Sequence, residues 1–163
     1  DAERYPEAIR QFERAIELEP GRAESHLKLA KAYRLNDRLD LAEKELRLLQ
    51  GNDQIQIQSP YFQEICAEAS FESGLINRSQ GKMSQARKSF LEALEVKQSY
   101  GLAHQQLAEV LFILEEYSEA LQHAIKAEEL GTPLDPSLFN KIREKVPAGS
   151  EGSSSEPGRM DPR

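Results

Sequence analysis

One small set of apolar positions recurs along this chain with a fixed period. Tyr5, Ala8, Phe12 and Ala15 return 34 residues later as Leu39, Ala42, Leu46 and Leu49. The set appears again as Met83, Ala86, Phe90 and Ala93, and after another 34 residues as Tyr117, Ala120, Ala124 and Ala127. A second series, Ala30, Gly74 and Ala108, is interleaved with the first at steps of 44 and 34. Two regular steps thus flank one that is ten residues longer. A period of this length is that of a supersecondary unit stacked on itself. One such unit cannot bury its apolar stripe alone, so its neighbours must cover it.

The local pattern inside each unit is helical. Residues 6–18 place Ala8, Ile9, Phe12, Ala15 and Ile16 on one side, and Pro20-Gly21 stops them. Residues 22–35 and 38–49 read as two more helices, separated by Asn36-Asp37. Ser59-Pro60 has the form of a cap followed by proline in the first turn of a helix running to about Ser79. If Pro60 opens that helix, it is about seven residues longer than its counterparts, roughly 10 Å at 1.5 Å per residue. Its extra turns carry Tyr61, Phe62 and Ile65 and are expected to project beyond the stack. Helices at 83–97, 101–114 and 117–130 follow, then a last one at 135–146 carrying Leu138, Phe139, Ile142 and Val146. Ile55-Gln56-Ile57-Gln58 alternates with period two, but one short edge cannot make a sheet.

The register resembles that of the tetratricopeptide repeat family. Tyr5-Pro6-Glu7-Ala8, Phe12, Ala15 and Pro20 carry the likeness in the first unit; Leu107-Ala108, Tyr117-Ser118-Glu119-Ala120 and Ala127 carry it in the last. His26, Ser70 and His104 stand where the family usually has Trp. The resemblance implies an all-α fold, a right-handed α-solenoid of antiparallel helix pairs with a C-terminal capping helix. The expected organisation is an array over 1–146. It divides into a half repeat at 1–20, repeats at 21–50, 59–98 and 99–131, and a cap at 135–146. The segment 147–163, with four Ser, three Gly and three Pro, is expected to be disordered.

Charge and motif content narrow the chemistry. Lys+Arg 21 against Asp+Glu 28 gives a net charge of −7, a poor match to nucleic acid, whose affinity for proteins rests on phosphate neutralisation. No run of 18 apolar residues is present to span a membrane, and no signal peptide is visible. The absence of Met at Asp1 leads us to expect a truncated N-terminus, so compartment is left open. His26 and His104 occupy equivalent places two units apart, and no two His have helical zinc spacing. They are read as packing or surface residues, and Cys66 as a small buried hydrophobe. Gly81-Lys82 lacks the earlier glycine and the following Ser or Thr of a phosphate loop. Asn77-Arg78-Ser79 matches a glycosylation sequon near a helix end, and pairs such as Glu115-Glu116 and Glu128-Glu129 are read as solvated. No enzyme activity, cofactor or metal is expected.

A binding groove is what remains. In arrays of the family, the first helix of each pair lines the concave surface. Here that implies three strips: Glu24, Leu27, Lys28, Lys31 and Arg34; Glu68, Phe71, Glu72 and Leu75; Leu102, Gln105, Gln106, Glu109 and Phe112. A basic strip beside an acidic one suits a peptide of mixed charge. Lys28, Lys31, Arg34, Glu68, Phe71, Glu72, Gln105, Gln106 and Glu109 are therefore the expected contact residues for a protein or peptide partner. The Asn partners of the family's carboxylate clamp are missing, so a chaperone tail is not expected. The alternative is a C-terminal docking segment of a larger protein, its first half repeat completed by upstream sequence or by homodimerisation through the first helix.

Overall fold

The computed structural model describes residues 4–51 and 61–146. Eight helices follow one another: α1 (Arg4–Leu18), α2 (Ala23–Leu35), α3 (Leu39–Gly51), α4 (Phe62–Ser79), α5 (Met83–Val96), α6 (Gly101–Ile113), α7 (Tyr117–Glu129) and α8 (Pro136–Lys145). No strand occurs among the described residues. Each helix packs on the next, and α2 also packs on α4. The result is an all-α solenoid of antiparallel helix pairs. Ser59-Pro60, Ile55-Gln56-Ile57-Gln58 and the segment 147–163 lie outside the described residues.

The recurring small residues sit at the helix crossings. Ala42, Ala86 and Ala120 are each 0% exposed. Methyl side chains there let neighbouring helices approach closely, and the residue four positions on fills the space beside them. Leu46, Phe90 and Ala124 do so, all within 1% of complete burial. Gly74 serves the same end from the other helix. A Cβ at Gly74 would lie 2.4 Å from Cε1 of Phe90, so only glycine leaves room for that ring.

The turns inside the pairs share one geometry. Asp37, Gly81 and Glu115 occupy the same register and have φ of 58°, 74° and 63°. The following residue closes each turn onto the helix five positions back: Arg38 N–H donates to Tyr33 O at 2.8 Å, Lys82 to Asn77 at 2.8 Å, Glu116 to Leu111 at 2.9 Å. This is the left-handed C-terminal cap, in which a residue with positive φ turns the chain while satisfying the helix's last carbonyls. Gly131 ends α7 in the same way.

Two apolar clusters meet at α4. Ala69 and Ile76 join the N-terminal cluster with Ile9, Leu29, Tyr33 and Leu46. Phe71 joins the C-terminal one with Phe90, Leu107, Leu121 and Ile142. The extension of α4 differs from expectation. The helix has 18 residues against 13 in α2 and α6, five more rather than seven. Phe62 and Ile65 do not project; they pack against the N-terminal cluster, and Tyr61 alone is 68% exposed. Apolar side chains on that extra turn gain more from the flank of the array than from water. Asp135 caps α8 by accepting from Ser137 and Leu138 N–H at 3.0 and 3.3 Å. Lys141, Arg143, Glu144 and Lys145 face solvent on its outer side.

Candidate functional site

The strips on α2, α4 and α6 are drawn together by the stacking, and their charges meet. Lys31 is paired with Glu68, and Arg78 with Glu109. Arg34 Nε donates to Glu72 Oε2 at 2.6 Å. The expected basic strip therefore does not stand free beside an acidic one. It is used in joining one unit to the next, because side chains on adjacent parallel helices reach across a spacing of about 8–10 Å. Lys28 keeps closer to home, with Nζ 2.8 Å from Glu24 one turn earlier. Arg78, in register with Arg34, belongs to the same ladder and is absent from the expected set.

The other expected contacts divide between surface and core. Phe71 and Glu72 are buried, at 8% and 5% exposure. The Phe71 ring lies 5.6 Å from Phe90 and 4.9 Å from Tyr100, tilted against both. Burial raises the Tyr100 phenol, and the carboxylates of Glu68 and Glu72 add to the effect. Gln105 Nε2 donates to the Pro133 carbonyl at 3.0 Å. Gln106 Oε1 is buried without a hydrogen-bond partner. In register, Gln106 takes the place of Glu72, so the Arg34–Glu72 pair has no copy one unit on.

An open cleft of about 1140 Å³ lies at the N-terminal ends of α2 and α4. Ala23, Leu27 and Ile65 give it an apolar lining; Lys28, Lys31 and Glu64 stand among its polar walls. Lys28, Lys31 and Glu68 are the expected residues it contains. Tyr61, Glu64 and Ile65 also line it. The clue to them is the ten-residue excess in the repeat spacing, which puts extra helix at this end of the array.

The histidines bond within the array, and two of them are partners. His26 Nδ1 lies 2.7 Å from Glu45 Oε2, and its Nε2–H donates to Pro20 O at 3.0 Å. His104 repeats the second contact, Nε2–H to Gln98 O at 3.0 Å, but its Nδ1 meets His123 Nδ1 at 2.8 Å. The members of this pair lie on two antiparallel helices, so no spacing within one helix marks them. Cys66 is only half-buried, and burial raises its thiol. Asn77 donates to Ser89 Oγ at 3.4 Å, which engages the sequon's asparagine inside the fold. Glu116 is paired with Arg87 at 2.8 Å rather than solvated, whereas Glu115, Glu128 and Glu129 are exposed. Among the described residues no group of three or more His, Cys, Asp or Glu could hold a metal ion. None of the described helices is long and apolar enough to cross a membrane.

Stacked helix pairs with a ladder of ionic joints and an open cleft define a helical-repeat interaction scaffold. The chain belongs to the tetratricopeptide repeat family, whose pattern matches residues 1–59 and 67–100. The second match begins at Ala67, which leaves the first five residues of α4 outside the repeat. Two crystal structures of MamA have the same fold. One has a TM-score of 0.61 at 20% identity over 86% of this chain and 73% of its own. The other has a TM-score of 0.59 at 21% identity over 86% and 88%. No curated protein matches the chain in sequence.

Proposed function

We propose that the chain binds an extended peptide segment of a partner protein in the cleft between α2 and α4, without catalysis. The observation that carries this reading is the cleft itself. An apolar lining of Ala23, Leu27 and Ile65 lies among charges of both signs at its polar walls. Apolar contact supplies affinity in such a site, and surrounding charge selects the partner. The joints at Lys31 and Arg34 hold the two walls at a fixed separation, which lowers the ordering cost of binding.

A displayed random peptide library selected on the full chain tests the reading. Selected peptides are expected to lose at least tenfold in affinity for Lys28→Glu/Glu64→Lys. Both positions are exposed and outside the inter-unit joints, and the pair lost is the one-turn Lys28–Glu24 contact, so the array should stay folded, with a cost of about 0.5 kcal/mol in α2. Equal affinity for the two proteins would place the site elsewhere.

A second reading is favoured by α1. Ala8, Phe12 and Ala15 are only half-buried. Their register counterparts in α3, α5 and α7 are buried to within 4%. We infer that one more helix of the α2, α4 and α6 type covers this face, which makes the chain a docking segment of a larger protein. Sedimentation of the full chain and of Phe12→Lys examines this. A monomer that binds a hydrophobic dye only when Phe12 is intact supports the reading. A dimer dissolved by Phe12→Lys would assign the face to a second copy, and a monomer that binds no dye would overturn it.

A further inference from the structure

We propose that the His104–His123 pair is a pH-sensitive latch that holds α7 and the α8 cap on the array and releases them on acidification. The geometry comes first. His104 is 8% exposed, and its ring centroid lies 5.1 Å from that of His123. The Gln98 carbonyl can only accept, so His104 Nε2 carries a hydrogen. A neutral His104 then offers a lone pair at Nδ1, and His123 Nδ1 supplies the hydrogen between the rings. One added proton can be accommodated: His104 Nδ1 becomes the donor and His123 Nδ1 the acceptor. A second proton cannot, because both Nδ1 atoms would then be donors and two cations would face each other at 2.8 Å.

No carboxylate intervenes. On α7 the nearest acid is Glu119, one turn before His123, and it is drawn to Arg87 of α5 at 3.7 Å. Arg87 also holds Glu116 at 2.8 Å. On α6, Glu109 is committed to Arg78. The charged residues of α8, Lys141, Arg143, Glu144 and Lys145, are all exposed. Burial, chiefly, and His104 beside it lower the His123 imidazole from 6.5 to about 4, and Glu119 offsets only part of this.

The equivalent place in the first unit is built with the opposite sign. Glu45 stands where His123 does, so His26 is raised above 6.5 by its hydrogen bond to that carboxylate. The middle unit has Ser70 and Ser89 there. Linkage then gives each end its own response. A lowered imidazole contributes stability above the unfolded value of 6.5 and loses it as pH falls towards about 4. A raised one is fully effective below 6.5 and fades as pH rises through its folded value. Acid therefore loosens α6–α7 while leaving α2–α3 closed. A terminal pair in a stack opens without disturbing the units behind it.

Hydrogen exchange on the full chain at pH 7 and pH 5, corrected for intrinsic rates, tests the latch. The open population of α7 and α8 should rise roughly twentyfold between the two, the ratio set by one imidazole moved from 6.5 to about 4. That of α3 should not rise. His104→Ser/His123→Ser, which installs the middle unit's own pair, should abolish the difference. The proposal is overturned if α3 and α7 open in parallel, or if the double variant retains the response. Should that variant not fold, NMR titration of the His123 ring in the wild-type chain decides: a midpoint near 6.5 overturns the latch, and one below about 5 supports it.

Discussion

Arg34 Nε lies 2.6 Å from Glu72 Oε2 across the joint between α2 and α4, and the Glu72 side chain keeps only 7% of its surface. A carboxylate so deeply placed depends on its partner, because an ion taken from water must be paired. Glu72→Gln keeps the shape and removes the charge. It should lower stability by about 1–3 kcal/mol in denaturant unfolding. Glu109→Gln, at the more open Arg78 joint, should cost about 0–1 kcal/mol. Equal losses would mean that burial of the pair is not what matters.

Gln106, in register with Glu72, has the opposite problem. Its buried Oε1 has no partner. Gln106→Leu removes the orphan acceptor and should raise stability by about 1 kcal/mol. Thermal unfolding reads the sign directly.

Gly74→Ala sets two effects against each other. Alanine is preferred in a helix by about 1 kcal/mol. Here its Cβ would lie 2.4 Å from Phe90, a ring with no exposed surface. Overpacking a closed core costs about 1–3 kcal/mol, so the variant should be destabilised. Phe90→Ala should cost about 3–5 kcal/mol. Combining the two should cost less than the sum, since the smaller side chain relieves the clash, and urea midpoints measure that coupling.

The left-handed turns offer a gain. Glu115 has φ of 63° where the middle unit has Gly81. A side chain in that region costs about 1–2 kcal/mol, partly offset by glycine's greater freedom when unfolded. Glu115→Gly should stabilise the chain by about 0.5–1 kcal/mol in thermal unfolding. Gly81→Ala should destabilise it, even though nothing lies within 4 Å of the new Cβ.

The alternation of small and large residues made the fold legible. Ala42, Ala86 and Ala120 recur in the sequence because close helix crossings recur in space. The site was legible only in part. Which residues line α2, α4 and α6 followed from the register, but what they touch did not. Lys31 meets Glu68, and Arg34 meets Glu72, only once the longer step between the units has set how α4 lies on α2. The His104–His123 contact has the same origin. The two residues lie on antiparallel helices either side of the turn between α6 and α7, and no spacing within one helix reveals that. The repeat pattern alone has Phe62 and Ile65 projecting; their partial burial depends on a flank that the pattern does not describe.

Site-specific photocrosslinking tests most directly whether a partner peptide binds in the cleft between α2 and α4. A photoreactive side chain is placed at Lys28 on the cleft or at Ile125, which is 44% exposed on α7. The probe is a peptide selected on the full chain from the displayed library. Crosslinking from position 28, with position 125 at background, is the predicted result. Crosslinking from position 125 alone, or equally from both, would contradict the account.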